Sequence, residues 1–183
     1  GHGVPFNFPA SPDTGPGLTD AGRRLVRECE ALGVLVDLSH LNEAGFWDVA
    51  KISTKPLVAT HSNAHAVTAS TRNLTDRQLA AIAESRGLVG VNFGCQFLRL
   101  DGLKNPNTRA EDVLRHLDHL LKHLGEDGVA LGSDFDGAMM PDFIGDAAGL
   151  PNLLAAIKAA YGPELTSKIS WGNWLNLLGR VNG

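Results

Sequence analysis

The chain has 183 residues, enough for one domain, or part of one, with a substantial core. Hydrophobic residues make up 43% and charged residues 20%, which is ordinary for a soluble globular protein. A formal net charge of -4 gives no reason to expect nucleic acid or an anionic membrane surface as a partner.

Cysteine usage and apolar runs bear on the compartment. Cys29 and Cys95 do not make a disulfide framework, and Cys29 falls on the apolar side of a predicted helix, so we expect a buried free thiol. That state fits a reducing, cytoplasmic compartment. No apolar run approaches a membrane span, no signal peptide opens the chain, and residues 180–183 offer no apolar tail for a lipid anchor.

Strand and helix signals alternate along the chain after an irregular surface loop, rich in Gly and Pro, at residues 1–17. Runs of aliphatic residues predict strands, and amphipathic segments with start and stop signals predict helices. The predicted strands are 34–39, 57–60, 88–93 and 129–133. The predicted helices are 20–32, 43–53, the segment from the Thr75 cap to Gly87, the segment from the Thr108 cap to Gly125, 151–161 and 164–180.

Several local signals support these helices. Thr75 with Gln78, and Thr108 with Glu111, have the spacing of capping boxes.

Apolar residues also predict what is buried. The three tryptophans are expected to pack in the core. The first helix should bury one apolar face, made of Leu25, Val26, Cys29 and Leu32.

Four β-α repeats predict an α/β fold with a parallel sheet, and the nearly continuous apolar strands indicate that both sheet faces are covered. A complete (β/α)8 barrel takes about 250 residues, so four units correspond to half of a TIM-like barrel. An open four-stranded piece would leave two unpaired edges. We expect the other half, or a second copy of this chain, to cover them.

Polar residues that could bind a metal or take part in catalysis follow the predicted strands. His40 ends the first, His61 follows the second, Arg72 comes a few residues later, and Asp134 follows the fourth. The carboxyl ends of parallel strands meet at one edge of a sheet, where α/β folds place their chemistry. These four side chains are therefore predicted to converge.

Their chemistry points to metal-assisted hydrolysis. Neutral imidazole nitrogens suit zinc, and a carboxylate such as Asp134 beside zinc-bound water can take a proton and pass it to a leaving amine. The Arg72 guanidinium matches a substrate carboxylate. Together these groups indicate hydrolysis of a carboxylate-bearing amide. A lone strand-end histidine is more often structural, so the pair carries the argument.

A second group of histidines invites the same interpretation. His116, His119 and His123 share one helical face at i, i+3 and i+7. They lie inside a helix remote from the strand ends, and we assign them a solvated or helix-packing role.

Four motifs resemble those of the membrane (renal) dipeptidases, which are zinc metallopeptidases with a TIM-like barrel, related to the amidohydrolases. The motifs are Asp-Leu-Ser-His at 37–40, Thr-His-Ser-Asn at 60–63, Thr-Arg-Asn at 71–73 and Gly-Ser-Asp-Phe-Asp-Gly at 132–137. The resemblance extends from Gly17 to Asn173 with order and spacing preserved.

The resemblance implies a role for each residue. His40 and His61 would bind the second of two zinc ions, Asp134 would be the acid/base at the bridging water and contact substrate, and Arg72 would hold the substrate or its tetrahedral intermediate. The family cleaves dipeptides, so a dipeptide is the expected substrate.

The family's remaining ligands have no counterpart here. Its His-x-Asp pair, bridging Glu and further substrate-binding His belong to the first half of the barrel, and His2 is not assigned to that last role. Residues 1–183 therefore resemble a single C-terminal half-barrel portion of the catalytic domain. We expect the isolated chain to bind zinc weakly and turn over little, since catalytic zinc usually has three protein ligands.

Three hypotheses follow. The first is a zinc dipeptidase present as its second half-barrel, paired with an N-terminal half or self-associated. The second is a related amidohydrolase acting on another amide or a lactone. The third is a non-catalytic half-barrel that serves as a binding or assembly module.

Overall fold

A computed structural model describes residues 15–182 of the chain, so the loop predicted at 1–17 and His2 lie largely or wholly outside the described residues. The helices are α1 Asp20–Ala31, α2 Glu43–Ile52, α3 Asp76–Glu84, α4 Cys95–Leu98, α5 Ala110–Leu124, α6 Leu150–Ser167 and α7 Asn173–Asn182. The strands are β1 Val58–Ala59, β2 Leu88–Val91 and β3 Val129–Leu131. Within residues 15–182 no helix combines the length and apolar character needed to cross a bilayer.

The three strands form one parallel sheet in the order β1-β2-β3. Val58 pairs with Leu88, and Val89 pairs with Val129. Parallel strands connected through helices confirm the predicted α/β class.

The strand predicted at 34–39 is wrong in extent. Only Asp37 forms an isolated bridge, with Val58, and the Leu38 amide donates to the Val58 carbonyl at 2.8 Å. Val34, at the start of the segment, is 51% exposed. The described residues pair this segment on one side only, and a short edge segment with a single neighbour makes few ladder bonds.

Both faces of the sheet are covered, as the apolar strands predicted. Ala59, Val89 and Val129 point to one face, into a cluster that includes Leu79 of α3 and Leu117 of α5. The alternate strand residues point to the other face and join a second cluster, made of Val58, Leu88, Ala130, Leu177 and Val181. The period of two along each strand thus sorts its side chains between two layers.

Of the two predicted capping boxes, the structure contains one and lacks the other. At α3 the Thr75 hydroxyl accepts from the Gln78 amide, and the Gln78 side chain accepts from the Thr75 amide at 2.8 Å, which confirms the first capping box. The box predicted for Thr108 is wrong, because its hydroxyl donates to the Asn105 carbonyl at 2.6 Å. The Asp112 carboxylate caps the start of α5 instead, by accepting from the backbone of the residue before the helix.

The face predicted for α1 is mostly not buried. Val26 is 4% exposed, whereas Leu25 is 51% and Leu32 is 78% exposed. Cys29 is a half-buried free thiol, and Cys95 is the buried one, so the expected burial of Cys29 is wrong. The reason is that α1 packs mainly against α2 and lies away from the sheet.

Helix α6 contains a kink. Gly162 has φ +80°, which lets the chain change direction before Pro163 within α6.

Two of the tryptophans lie near the C-terminus in different environments. Trp174 on α7 is partly buried, and its indole N–H donates to the Leu131 carbonyl at 2.9 Å. Trp171 is 57% exposed, so its predicted core position is wrong. The short helix α4 was not predicted.

Candidate functional site

The structure brings His40 and His61 together at the carboxyl end of the sheet. Their ring centroids lie 5.1 Å apart, with the planes tilted by 54°. His61 follows β1 by two residues, and His40 comes three residues after the bridge at Asp37. His40 has φ +70°, a left-handed conformation that costs a non-glycine residue about 1–3 kcal/mol and is often found at functional sites.

A short chain of hydrogen bonds orients the His61 ring. The Thr60 hydroxyl donates to Asp37 and lies 2.7 Å from Nδ1 of His61. Because its only proton goes to the carboxylate, the hydroxyl oxygen accepts from an Nδ1–H. The neutral ring then carries its free lone pair on Nε2, which is the state a metal ligand needs.

Asp37 is itself fixed by the backbone. Its Oδ1 accepts from the Ser39 amide and from the Thr60 amide, both at 2.9 Å. The Ser39 hydroxyl in turn accepts from the His61 amide at 3.0 Å. These bonds join the two strand ends and hold their histidines in one register.

Asn92 holds Asp134 and links it to the strand end that carries His61. The Asn92 side-chain amide donates to Oδ2 of Asp134 at 2.8 Å and to the His61 carbonyl at 3.4 Å. Its carbonyl oxygen accepts from the Gly94 amide at 2.7 Å, which fixes the direction of the NH₂ group. Asp134 has φ +62°, so two of the four predicted site residues have left-handed backbones.

Asn92 was not identified from the sequence. The strand predicted at 88–93 places Asn92 inside the strand, whereas β2 ends at Val91, so Asn92 follows a strand end only in the structure.

Arg72 is buried, with 4% exposure. Its guanidinium donates to the His61 carbonyl at 3.4 Å and lies 5.7 Å from the centroid of the Phe97 ring. Burial lowers the pKa of Arg72, and the carboxylates of Asp134 and Asp37 oppose that shift. Its buried Nε–H has no hydrogen-bond acceptor among residues 15–182.

A cavity of about 180 Å³ lies next to Arg72. Ser62, His65 and Thr71 contribute polar atoms to its wall, and Leu41 and Phe46 contribute apolar ones. Neither histidine of the pair nor Asp134 lines it.

The donor set at the strand ends suits zinc in type but not in number. Two imidazoles with an adjacent carboxylate match its preference, whereas catalytic zinc usually has three protein ligands. Within residues 15–182, the group of three ligand-type side chains close enough to share an ion is Asp76, His119 and His123, which lies between α3 and α5.

The three histidines of α5 divide into two environments. His116 is fully buried, and its Nδ1 accepts from the Ala64 amide at 3.1 Å while Nε2 contacts the Leu98 carbonyl at 3.1 Å. Burial lowers its pKa to about 4, so it is neutral. This agrees with the predicted helix-packing role. His119 and His123 are partly exposed and face Asp76.

Comparisons with known proteins identify the family. The model of the membrane dipeptidase family (peptidase family M19) matches residues 6–183. The chain belongs to this family, as its four motifs predicted.

The chain is also similar to individual proteins over most of its length. The chain is 53% identical to the uncharacterized protein in pqqA 5'region of Klebsiella pneumoniae over 182 residues, covering 99% of this chain and 67% of that protein. It is 33% identical to dipeptidase tcpJ of Claviceps purpurea over 169 residues, covering 90% of this chain and 39% of the relative.

A crystal structure of a metallo peptidase from Rhodobacter sphaeroides, liganded with a phosphinate mimic of the dipeptide L-Ala-D-Ala, superposes with a TM-score of 0.93 and 63% identity. It matches 99% of this chain and 52% of that one. This chain therefore spans about half the length of that solved relative.

Proposed function

We propose that this chain is the C-terminal half of the catalytic barrel of a zinc-dependent dipeptidase. The observation that carries the proposal is the convergence of His40 and His61 at one sheet edge, with ring centroids 5.1 Å apart. Arg72 donates to the His61 carbonyl, and Asn92 links the same carbonyl to Asp134. Family membership supports the same conclusion.

His40 and His61 would hold the zinc ion. Nε2 of His61 is the free nitrogen, because Nδ1 is engaged by Thr60. When bound, zinc supplies Lewis-acid polarisation of the scissile carbonyl. The Asp37 carboxylate stabilises the imidazole in its ligand tautomer, as carboxylates behind metal-binding histidines commonly do.

Asp134 would act as the general acid/base. The Asn92 amide leaves one carboxylate oxygen, Oδ1, outside its hydrogen bond, and that oxygen can take a proton from the attacking water and give it to the departing amine. Asn92 positions this carboxylate against the His61 strand end, since it donates to both.

Arg72 would bind the substrate carboxylate. An unpaired buried N–H costs about 1–3 kcal/mol, and an incoming carboxylate would satisfy it. A dipeptide carries such a carboxylate next to its only peptide bond. The phosphinate dipeptide mimic bound to the Rhodobacter sphaeroides relative supports dipeptides as the substrate class.

The remaining ligands would come from an N-terminal half. Two imidazoles are fewer than the three ligands typical of catalytic zinc, and the chain spans about half of its solved relative. Residues 1–183 would form one half-barrel portion of the catalytic domain. The N-terminal half, or a second copy of this chain, would complete the barrel. The isolated chain then binds zinc weakly at the strand ends and has little turnover.

The proposal is tested by hydrolysis of dipeptides, N-acyl amino acids and lactones, with and without a chelator, in the isolated chain and in the longer protein that carries the N-terminal half. We expect chelator-sensitive cleavage of dipeptides in the longer protein, at least about 100-fold slower in His40→Ala or His61→Ala. Glu84→Gln, an exposed change on α3, is the matched control and should keep full activity.

Each other outcome selects an alternative hypothesis. Preferential cleavage of acyl amino acids or lactones would indicate a related amidohydrolase. No hydrolysis by the longer protein at saturating zinc would indicate a non-catalytic binding or assembly module.

A further inference from the structure

A second cluster of metal-ligand side chains lies between α3 and α5, away from the strand ends. Nε2 of His119 lies 2.7 Å from Oδ1 of Asp76, and Nε2 of His123 lies 3.8 Å from its Oδ2. One nitrogen or oxygen from each of the three side chains lies within 4.8 Å of the others. The cluster is partly open to solvent, with the two histidine side chains 19% and 23% exposed.

Regular structure holds the three residues in this arrangement. His119 and His123 are one turn apart on α5, and their rings stack with centroids 4.6 Å apart and planes 29° from parallel. Asp76 is the first residue of α3, directly after the Thr75 cap. Buried residues of both helices pack in one core cluster, so the two backbones are fixed relative to each other.

We propose that Asp76, His119 and His123 form an accessory site for a divalent transition-metal ion such as Zn²⁺, which bridges α3 and α5. Two imidazoles and one carboxylate are a ligand set that such ions prefer. The fourth position remains for water.

The geometry requires only a modest side-chain movement. Ligand atoms around tetrahedral zinc lie roughly 3.3 Å apart, given bonds of about 2.0–2.1 Å. The Asp76 side chain is 53% exposed and can rotate to bring its oxygens to the ion. In the metal-free cluster His119 donates its Nε2–H to Asp76, so the ion replaces that proton.

One neighbouring charge opposes the site. Lys122 lies close enough to Asp76 to lower the pKa of that carboxyl, after the larger effects of the His119 hydrogen bond and of His123. A cation placed at the cluster is repelled by the same lysine. Lys122→Gln should therefore tighten metal binding while leaving the three ligands in place.

The test uses the His40→Ala/His61→Ala variant of the full chain, so that zinc at the strand ends does not contribute. Calorimetric titration with Zn²⁺ alone should show one equivalent bound. Adding His119→Gln and His123→Gln, or Asp76→Asn, should weaken that binding by about 100-fold or more. Adding Glu84→Gln, which removes an exposed carboxylate from the same helix, should leave it unchanged.

A spectroscopic readout identifies the ligands independently. Cu²⁺ bound to the background variant should give an electron paramagnetic resonance spectrum with hyperfine coupling from two imidazole nitrogens, and this should be lost in His119→Gln/His123→Gln. Circular dichroism verifies that each variant is folded. The proposal is overturned if the background variant binds no metal, or if it binds equally well after the ligands are replaced.

Discussion

At the scale of single residues, the proposed zinc site depends on the orientation of the His61 imidazole ring. Thr60 has one hydroxyl proton, which goes to Asp37, and its oxygen therefore accepts from Nδ1 of His61. This arrangement leaves Nε2 as the nitrogen that the proposed zinc ion would bind. A site that is organised in advance loses less free energy on binding than one that must reorient its ligands.

Removing the Thr60 hydroxyl tests that role. Thr60→Val should lower zinc affinity at the strand ends about 10- to 100-fold, because His61 loses the partner that fixes its tautomer. Thr60→Ser keeps the hydroxyl and should restore most of the affinity. Equal affinity in Thr60→Val and the unmodified chain would show that the hydroxyl does not orient the ring.

His116 predicts a pH dependence of stability. Its pKa is lowered from 6.5 to about 4 in the folded state by burial, so the unfolded chain takes up a proton first as the pH falls. The stabilisation is present above pH 6.5 and is lost between 6.5 and about 4, with a full value of about 3 kcal/mol.

Urea unfolding from pH 7 to pH 4.5 measures this effect. His116→Gln does not titrate, so its unfolding free energy should fall less on acidification than that of the unmodified chain. The contributions of other groups, including nearby Arg115, Asp112 and His119, are common to both proteins and cancel in the difference. Parallel pH profiles would contradict the assignment.

The sequence identified some of these residues and missed others for a physical reason. His40 and His61 were predictable because strand ends meet at one sheet edge. Asn92 lies inside the strand predicted at 88–93 and follows a strand end only in the structure, and as an uncharged residue it attracts no chemical assignment by type alone. The burial of His116 depends on the Ala64 and Leu98 backbone, which lies 52 and 18 residues away in sequence.

At the scale of elements, two glycines let the strands approach closely at the site. A Cβ on Gly132 would lie 1.7 Å from the Thr60 carbonyl oxygen, and one on Gly90 would lie 2.0 Å from the same atom. Either side chain would push on the strand end that carries His61. The close packing of β1, β2 and β3 here thus depends on both glycines.

Gly132→Ala should lower the free energy of unfolding by about 1–3 kcal/mol, since the added methyl group collides with backbone. Gly179→Ala is the matched control, because a Cβ there meets nothing within 4 Å and alanine favours a helix by up to about 1 kcal/mol. Chemical denaturation measures both. A neutral Gly132→Ala would show that the strands can separate without cost.

The presence of most helices and strands was predicted from the sequence, whereas the residues at which they begin and end were not. Hydrophobic period and the Thr75 box identified α3 and α5, because those signals are local. The first predicted strand is short because the segment has a strand neighbour on one side only among the described residues. The Thr108 capping box is absent because the Thr108 hydroxyl bonds to the Asn105 carbonyl instead.

At the scale of the whole molecule, the described chain contains a three-stranded sheet and one side of a proposed zinc site. The ligands that it supplies are too few for tight binding, and it spans about half of the solved relative. Adding the N-terminal half should therefore raise zinc affinity at the strand ends by several orders of magnitude. Equilibrium dialysis with a competing chelator, on chains that carry His119→Gln and His123→Gln so that only zinc at the strand ends is counted, measures the change. Two tightly held ions per isolated chain of this variant would contradict it.

The proposed division of zinc ligands between two halves could not be predicted from the strand and helix patterns. Local patterns report what this chain contains, whereas a closed barrel depends on strands that pair across its edges. The four motifs carried that information only through their likeness to the family.

The shared binding of one ion by His40 and His61 is tested most directly by anomalous diffraction at the zinc edge, on crystals of the chain soaked in Zn²⁺. We expect an anomalous peak about 2.0–2.1 Å from Nε2 of His61 and from a ring nitrogen of His40. Rings that face apart, or no peak between them at saturating zinc, would contradict it.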